Sequence, residues 1–405
     1  MEINGAKMFV KALQEEGVDT LFAYPGGTAI DLFDALYDAE GIDMILPRHE
    51  QALVHAADGY ARSTGRVGVC LVTSGPGATN LVTGIATANY DSVPLVCFTG
   101  QVPMNLIGND AFQEVDIVGI TRSICKYAVT VRKREDLARI IKNAFYIART
   151  GKPGPVVVDI PKDIQLAMGS DEYPSEVNIR GYKPSEGVHV GQIKRALAEL
   201  KNAKKPVFLC GGGVNIAHAR KEMQQLAEKT GIPVVTTIMG KGAIPTDHPL
   251  YVGNIGMHGN LASNKAIMES DVLFSIGCRF NDRITGTIDT FAKNAKIIHV
   301  DIDAASISRN IKVDIPIVAD AKVAISKMLE YAEPLDIKDW VDDIMNVKAE
   351  YPINMNRYDG VTPEAIIRTI NDMYSNLIVT TDVGQNQLWT CLLYTSPSPR
   401  DRQKS

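Results

Sequence analysis

The chain has 405 residues, room for two to three domains at roughly 150 residues each, and its 42 Lys and Arg against 47 Asp and Glu give a formal net charge of −5. Hydrophobic residues at 45% and charged residues at 22% are the balance of a globular protein. The mild acidity leaves no basic footprint for nucleic acid. No apolar run approaches the roughly 18 residues of a membrane span, and MEINGAKMFV lacks the basic-then-apolar order of a secretory signal. The cysteines (70, 97, 125, 210, 278 and 391) form no CxxC pair and no metal spacing. Most sit in apolar runs and are expected to be small buried hydrophobes in a reducing, cytoplasmic setting.

Strand and helix signals alternate from the start. Residues 4–16 carry helically spaced Ala6, Phe9, Val10 and Leu13 and stop at Gly17. DTLFAY (19–24) reads as a strand running into Pro25-Gly26-Gly27, followed by a helix over 29–39, a strand at 42–46 and a helix over 50–62. VGVCLVT (67–73), PLVCFTG (94–100) and PVVVDIP (155–161) are near-continuous apolar strands. Such strands separated by helix-length segments predict an α/β fold: doubly wound parallel sheets with helices on both faces.

Residues 165–190 are polar, with Gly and Pro, and read as a linker. A second unit follows, with helices at 191–201 and near 216–229 and strands at 206–210, 232–237, 271–277, 296–303 and 315–320. Residues 333–360 are polar and helical or linking. A third unit opens with the Pro363 helix and an expected strand NLIVTTD (376–382). The final CLLYTSPSPRDRQKS then loses all periodicity. It reads either as a disordered tail or, as we expect, as foreign sequence entered when the reading frame leaves the natural gene near residue 390.

Each glycine-rich loop follows a strand, and ligands bind beyond the carboxyl ends of parallel strands. YPGG (24–27) and SGPGATN (74–80) let backbone approach a ligand, or are simply tight turns. GGG (211–213) after PVFLC resembles a dinucleotide turn without full GxGxxG spacing. Asp301 and Asp303 end an apolar strand, where an acid can hydrogen-bond ribose or cap a helix. Glu50, in RHEQ (48–51), opens a helix beside Arg48 and His49, a placement that favours its carboxylate. The run Arg132 to Asp136 reads as a solvated helix start, and His55, His189, His218, His248 and His299 as surface or satisfied core residues.

Taken together, YPGG, RHEQ, SGPGATN, GQVP (100–103), DAFQE (110–114), GKPGPVVVDIPKDIQ (151–165), GMHG (256–259), GCRFNDR (277–283) and TDVGQNQ (381–387) occur in an order and spacing that closely resembles the acetolactate synthase (acetohydroxyacid synthase) catalytic-subunit family over about residues 1–390. Pyruvate oxidases share the acid and the SGPG loop, so a flavin- and thiamine diphosphate-dependent oxidase is the alternative enzyme. An inactive truncated flavin-binding fragment is the non-enzymatic one.

The resemblance implies thiamine diphosphate, Mg²⁺ and FAD as cofactors, and the decarboxylating condensation of pyruvate with a second pyruvate or 2-ketobutyrate, as in branched-chain amino acid synthesis. It implies a pyrimidine-binding domain over about 1–180, an FAD domain over about 190–330, the opening of a diphosphate-binding domain at 361–390 and a non-homologous tail at 391–405. A homodimer or larger homo-oligomer with a small regulatory subunit is also implied.

By the same resemblance Glu50 hydrogen-bonds the aminopyrimidine as a general base relayed through the cofactor, an effect typically on the order of 10²–10⁴-fold, and Gln113 lies near the reacting centre. Pro25, Gly26, Gly27, Pro76 and Asn80 surround the pyrimidine and thiazolium; Val383, Gly384, Gln385, Asn386 and Gln387 meet the diphosphate. Phe112, Lys162, Met257, Asp282 and Arg283 line the substrate channel. Lys152, Gly211, Gly212, Gly213, His258, Gly259, Gly277, Arg279, Asp301, Ile302 and Asp320 hold FAD, which does no net redox work.

Three positions depart from the family pattern: Lys152 stands for the usual Arg, Asn281 for the first Asp of FDDR, and Asn109 precedes DAFQE. The GDG…N signature that binds Mg²⁺ and diphosphate is missing, so the chain as written is expected to make no acetolactate, and no metal ligand is assigned.

Overall fold

The computed structural model describes residues 2–353, 360–374 and 377–393. The expected change of sequence over 391–405 falls mostly outside these, as does residue 376 of the third-unit strand. The chain divides into two compact units, Met1–Pro184 and Ser185–Ser405.

The first unit is built on β1 (Glu2–Asn4), β2 (Thr20–Ala23), β3 (Asp43–Ile45), β4 (Gly68–Val72), β5 (Leu95–Gln101), β6 (Tyr127–Thr130), β7 (Pro155–Pro161) and β8 (Met168–Ser170). Six of them form a sheet in the order β3-β2-β4-β5-β7-β6, with every pairing parallel. β4, β5 and β7 are buried along their whole length, which is why they read as near-continuous apolar runs. Alternate residues serve opposite faces. Val69, Leu71, Val96 and Phe98 pack with Phe9, Leu13 and Phe145, while Cys70, Val72 and Cys97 pack with Leu53, Val54 and Ile85. Cys70, Cys97, Cys210 and Cys278 are buried as expected; Cys125 and Cys391 are half-buried.

The second unit carries β9 (Pro206–Cys210), β10 (Val234–Thr236), β11 (Tyr251–Asn254), β12 (Val272–Ile276), β13 (Lys296–Asp301) and β14 (Ile315–Val318), parallel in the order β11-β10-β9-β12-β13-β14. Helices such as Val190–Asn202 and Arg220–Thr230 bury Ile193, Ala196, Met223 and Leu226 against it. No described helix is long and apolar enough to cross a membrane.

Four sequence expectations need correction. The stretch 165–190 is not all linker: it begins inside a helix (Lys162–Leu166) and contains β8, paired antiparallel with β1. That pairing rests on backbone bonds and on Arg134, whose Nη2 donates to the carbonyls of Ile3 (3.0 Å) and Ser170 (3.2 Å), so no apolar pattern announces it. Arg134 is therefore buried, not solvated, although a helix does start at Leu137 as read. Residues 377–382 are not a strand: the described part of 361–393 holds two helices, Pro363–Met373 and Gln385–Leu393, and no strand that could supply a ladder. His299 is buried with neither ring nitrogen hydrogen-bonded among the described residues.

Candidate active site

In a parallel sheet all carboxyl ends lie along one edge, and in the first unit the site residues gather there. The loop after β2 holds Pro25, Gly26 and Gly27, and the loop after β4 holds Ser74 to Asn80. Thr28 and Thr73 tie the two: their hydroxyls lie 3.0 Å apart, and the Ser74 amide donates to Thr28 Oγ1 at 3.0 Å. Gln165 donates to the carbonyls of Thr28 and Ile160, both at 2.8 Å. Thr28, Thr73 and Gln165 were not anticipated; only their positions beside YPGG, SGPG and IPKD could have flagged them.

Glu50 opens the helix Glu50–Thr64, whose start is capped by His49 Nδ1 accepting the Gln51 amide at 3.1 Å. Its half-buried carboxylate reaches the second loop, where Asn80 Nδ2 donates to Oε2 at 2.9 Å. The other oxygen, Oε1, faces Gly77: a Cβ built there would lie 3.6 Å from it. Gly75 follows with φ +58°, and a Cβ on it would meet the Gln113 carbonyl at 2.6 Å. Only glycine lets the Gln113 backbone come this close. The Ser74 hydroxyl is buried without a partner among the described residues. Pro25, Gly27 and Pro76 are exposed at this edge.

Lys162 begins the helix after β7; its Nζ donates to Gly27 O at 3.2 Å and lies 3.6 Å from Asp31 Oδ2. Phe112 is 87% exposed. Behind the edge, Asp159 on β7 accepts from Thr99 (2.6 Å), Gln101 (3.2 Å) and Thr130 (3.1 Å), and its burial pushes the carboxyl up to about 6. Lys152 lies half-buried in this unit; burial, and after it the nearby Lys152, push the Lys126 ammonium down to about 8.

In the second unit the loops after β9 and β12 meet backbone to backbone. A Cβ on Gly211 would lie 2.1 Å from the Gly277 carbonyl, and one on Gly277, at φ +63°, 2.5 Å from Gly213 Cα. Gly212 is half-buried beside them and Arg279 is exposed. Asp301 ends β13 and accepts the Asp303 amide at 2.8 Å; Asp303 caps the following turn, and Ile302 lies between them. His299 Nε2 stands 3.6 Å from Asp301 Oδ2. Asp320 caps the helix Ala321–Tyr331 through the amides of Lys322 and Val323.

The GMHG and NDR loops also come together. Met257 N donates to Arg283 O at 2.9 Å, and Arg283 Nη1 lies 3.9 Å from Met257 Sδ. Asp282 and Arg283 are exposed, as is His258, with Gly259 half-buried. Val383, Gly384, Gln385 and Asn386 are exposed and Gln387 half-buried where the helix Gln385–Leu393 begins; Asn386 Nδ2 donates to Asp382 Oδ1 at 2.8 Å. Among the described residues no group of three or more His, Cys, Asp or Glu side chains could hold a metal ion.

Residues 3–120 match the family described as "Thiamine pyrophosphate enzyme, N-terminal TPP binding domain", and residues 193–328 its "central domain". The chain is 48% identical to a probable acetolactate synthase large subunit of Methanococcus aeolicus and 48% identical to one of Methanocaldococcus jannaschii, in each case over 98% of this chain and 70% of the relative. It is 45% identical to the acetolactate synthase isozyme 3 large subunit of Escherichia coli, over 98% of this chain and 71% of the relative. With identity of this order running through both units and past the loops that hold Glu50, Gln113 and Arg283, the chain belongs to the family of acetolactate synthase large subunits.

Proposed function

We propose that the protein condenses pyruvate with a second 2-ketoacid, pyruvate or 2-ketobutyrate, with loss of carbon dioxide, using thiamine diphosphate and holding FAD without net redox. The observation that carries this reading is Glu50, fixed at one oxygen by Asn80 and open at the other toward the glycine loop.

The residues present fit the aminopyrimidine half of thiamine diphosphate. A helix-start carboxylate and two glycine-bearing loops stand together at the sheet edge, with the Ser74 hydroxyl, unpartnered among the described residues, buried behind them. Bound there, thiamine diphosphate supplies the electron sink for decarboxylation and the carbon nucleophile for the new bond. Glu50 would hold the proton shared with the pyrimidine ring through Oε1, because Asn80 occupies Oε2. Gln113, backed against Gly75, would donate to the reacting carbonyl oxygen. The ammonium of Lys162 and the guanidinium of Arg283 suit ketoacid carboxylates, Arg283 through a bidentate fork. Phe112 in the first unit and Met257 in the second each expose the kind of apolar surface that a ketoacid methyl or ethyl group needs, and Asp282 adjoins Arg283 in the second.

For FAD, the bare backbone at Gly211, Gly213 and Gly277 lies at the carboxyl ends of adjacent strands, with Asp301 at the end of the next. The amides of Gly211, Gly213 and Gly277 already donate to the carbonyls of Ile276, Gly277 and Val300, so the reading rests on the close, side-chain-free backbone at this edge and on the Asp301 carboxylate, which suits ribose hydroxyls. Mg²⁺ has no ligand set among the described residues, and no step is derived through it. The relatives' designation as large subunits supports a partner small subunit, and a homo-oligomer is part of the same reading.

Supplied with pyruvate, thiamine diphosphate, Mg²⁺ and FAD, the protein carried to the full length of these relatives is expected to form acetolactate without consuming oxygen. Oxygen uptake matching pyruvate loss would instead identify an oxidase.

A further inference from the structure

The loop between Val102 and Asp116 ends in two residues held by different devices. Gln113 stands at φ +57° and Asp110 at φ +50°, both in the left-handed region that costs a side-chain-bearing residue conformational energy. Something must over-determine the loop for both to persist. Glu114 does so: its carboxylate accepts the Gly108 amide at Oε1 and the Ala111 amide at Oε2 (3.1 Å), bridging the whole turn. The Glu114 amide in turn donates to Ala111 O at 3.0 Å. One residue later, Val115 O accepts from Gln101 Nε2 at 3.0 Å, which fastens the loop to β5. On the outside, the Met104 amide donates to Asp163 Oδ1 at 3.1 Å, next to Lys162.

We propose that Glu114 is a positioning residue, whose two-amide clamp presents Gln113 and Phe112 to the reacting centre. The proposal rests on the reading that Gln113 works at that centre. The chemistry requires a carboxylate. The two backbone N–H groups bond different oxygens of one side chain, and in that geometry a carboxylate accepts at both, whereas a Gln at 114 would turn an NH₂ toward one of them. The Gly108 and Ala111 amides accordingly hold the Glu114 carboxyl below the usual range for a glutamate. Gly75 adds the second wall, since the Gln113 backbone rests where any Cβ at 75 would be.

The test is a double-mutant cycle in the full-length protein: Gln113→Ala, Glu114→Gln and the pair, read by kcat, KM for pyruvate, and thiamine diphosphate affinity from fluorescence titration. Displacing a reacting group by about 1 Å costs up to 10²-fold, so Glu114→Gln is expected to lower kcat by roughly 10- to 100-fold with cofactor affinity unchanged. In the Gln113→Ala background the same change is expected to cost little more. Glu114→Asp, which keeps the charge on a shorter arm, is expected to recover part of the loss. If Gln113→Ala leaves turnover intact, the reading of Gln113 falls and takes the proposal with it. If Gln113→Ala is impaired but Glu114→Gln is not, or the two losses simply add, the clamp proposal alone is overturned.

Discussion

Asn80 donates from Nδ2 to Glu50 Oε2 over 2.9 Å, joining the loop after β4 to the first turn of the helix that follows β3. The bond selects which carboxylate oxygen remains for a ligand. A hydrogen bond to a charged group contributes about 1.5–3 kcal/mol, so Asn80→Ala is expected to lower turnover by roughly tenfold or more while leaving thermal unfolding almost unchanged. Steady-state assay with a parallel melting curve checks this; a large drop in melting temperature with normal turnover would mean that the bond serves the fold alone.

Gly75→Ala tests the contact on the other side of the site. The residue has φ +58° and ψ −120°, and its added Cβ would press on the Gln113 carbonyl. Strain of this kind costs of order 1–3 kcal/mol, and relieving it means moving Gln113. Denaturant unfolding should show that loss, with turnover falling further than the stability change explains. Wild-type turnover in this variant would show that Gln113 is free to shift.

Asp159 gives a pH signature. Its carboxyl is raised by burial from an ordinary 3.8 to about 6, against the bonds from Thr99, Gln101 and Thr130. Between those values the folded state holds a proton that the unfolded chain has lost, so stability falls as pH rises through this window and is flat, for this group, outside it. A shift of this size corresponds to a few kcal/mol at most. Melting curves from pH 4 to 7 should show the decline in the wild type and a shallower one in Asp159→Asn; identical slopes would place the group's titration elsewhere.

The sequence resemblance implies an Arg where this chain has Lys152. A planar guanidinium can hydrogen-bond a pair of ligand oxygens where an ammonium cannot. Lys152→Arg is therefore expected to retain more FAD through gel filtration, read from flavin absorbance. Retention equal to or below the wild type would argue against flavin contact at this position.

Much of this was legible in the sequence because the central strands are buried on both faces and so read as near-continuous apolar runs, as in PVFLC (206–210) and GVCLV (68–72). The edge strands β8 and β6, exposed or half-buried and held largely by backbone pairing, were not; nor was β11, which is buried but only four residues long with Gly253 and Asn254 among them. NLIVTTD shows the converse, an apolar run that forms no described strand because none pairs with it. At the site, motif spacing pointed to Glu50, Asn80 and Gln113. The Thr28–Thr73 tie, Arg134 beneath β1 and β8, and the Glu114 clamp depend on backbone atoms converging across the fold, which residue identity does not record.

The most direct measurement, in the protein carried to the full length of its relatives, is made on Glu50→Gln, which keeps the size of the side chain and its acceptor for Asn80 while removing the charge. Turnover of pyruvate to acetolactate is expected to fall by roughly 10²-fold or more, with FAD content and melting temperature unchanged. Turnover near that of the wild type would remove Glu50 from the chemistry and contradict the account of the site.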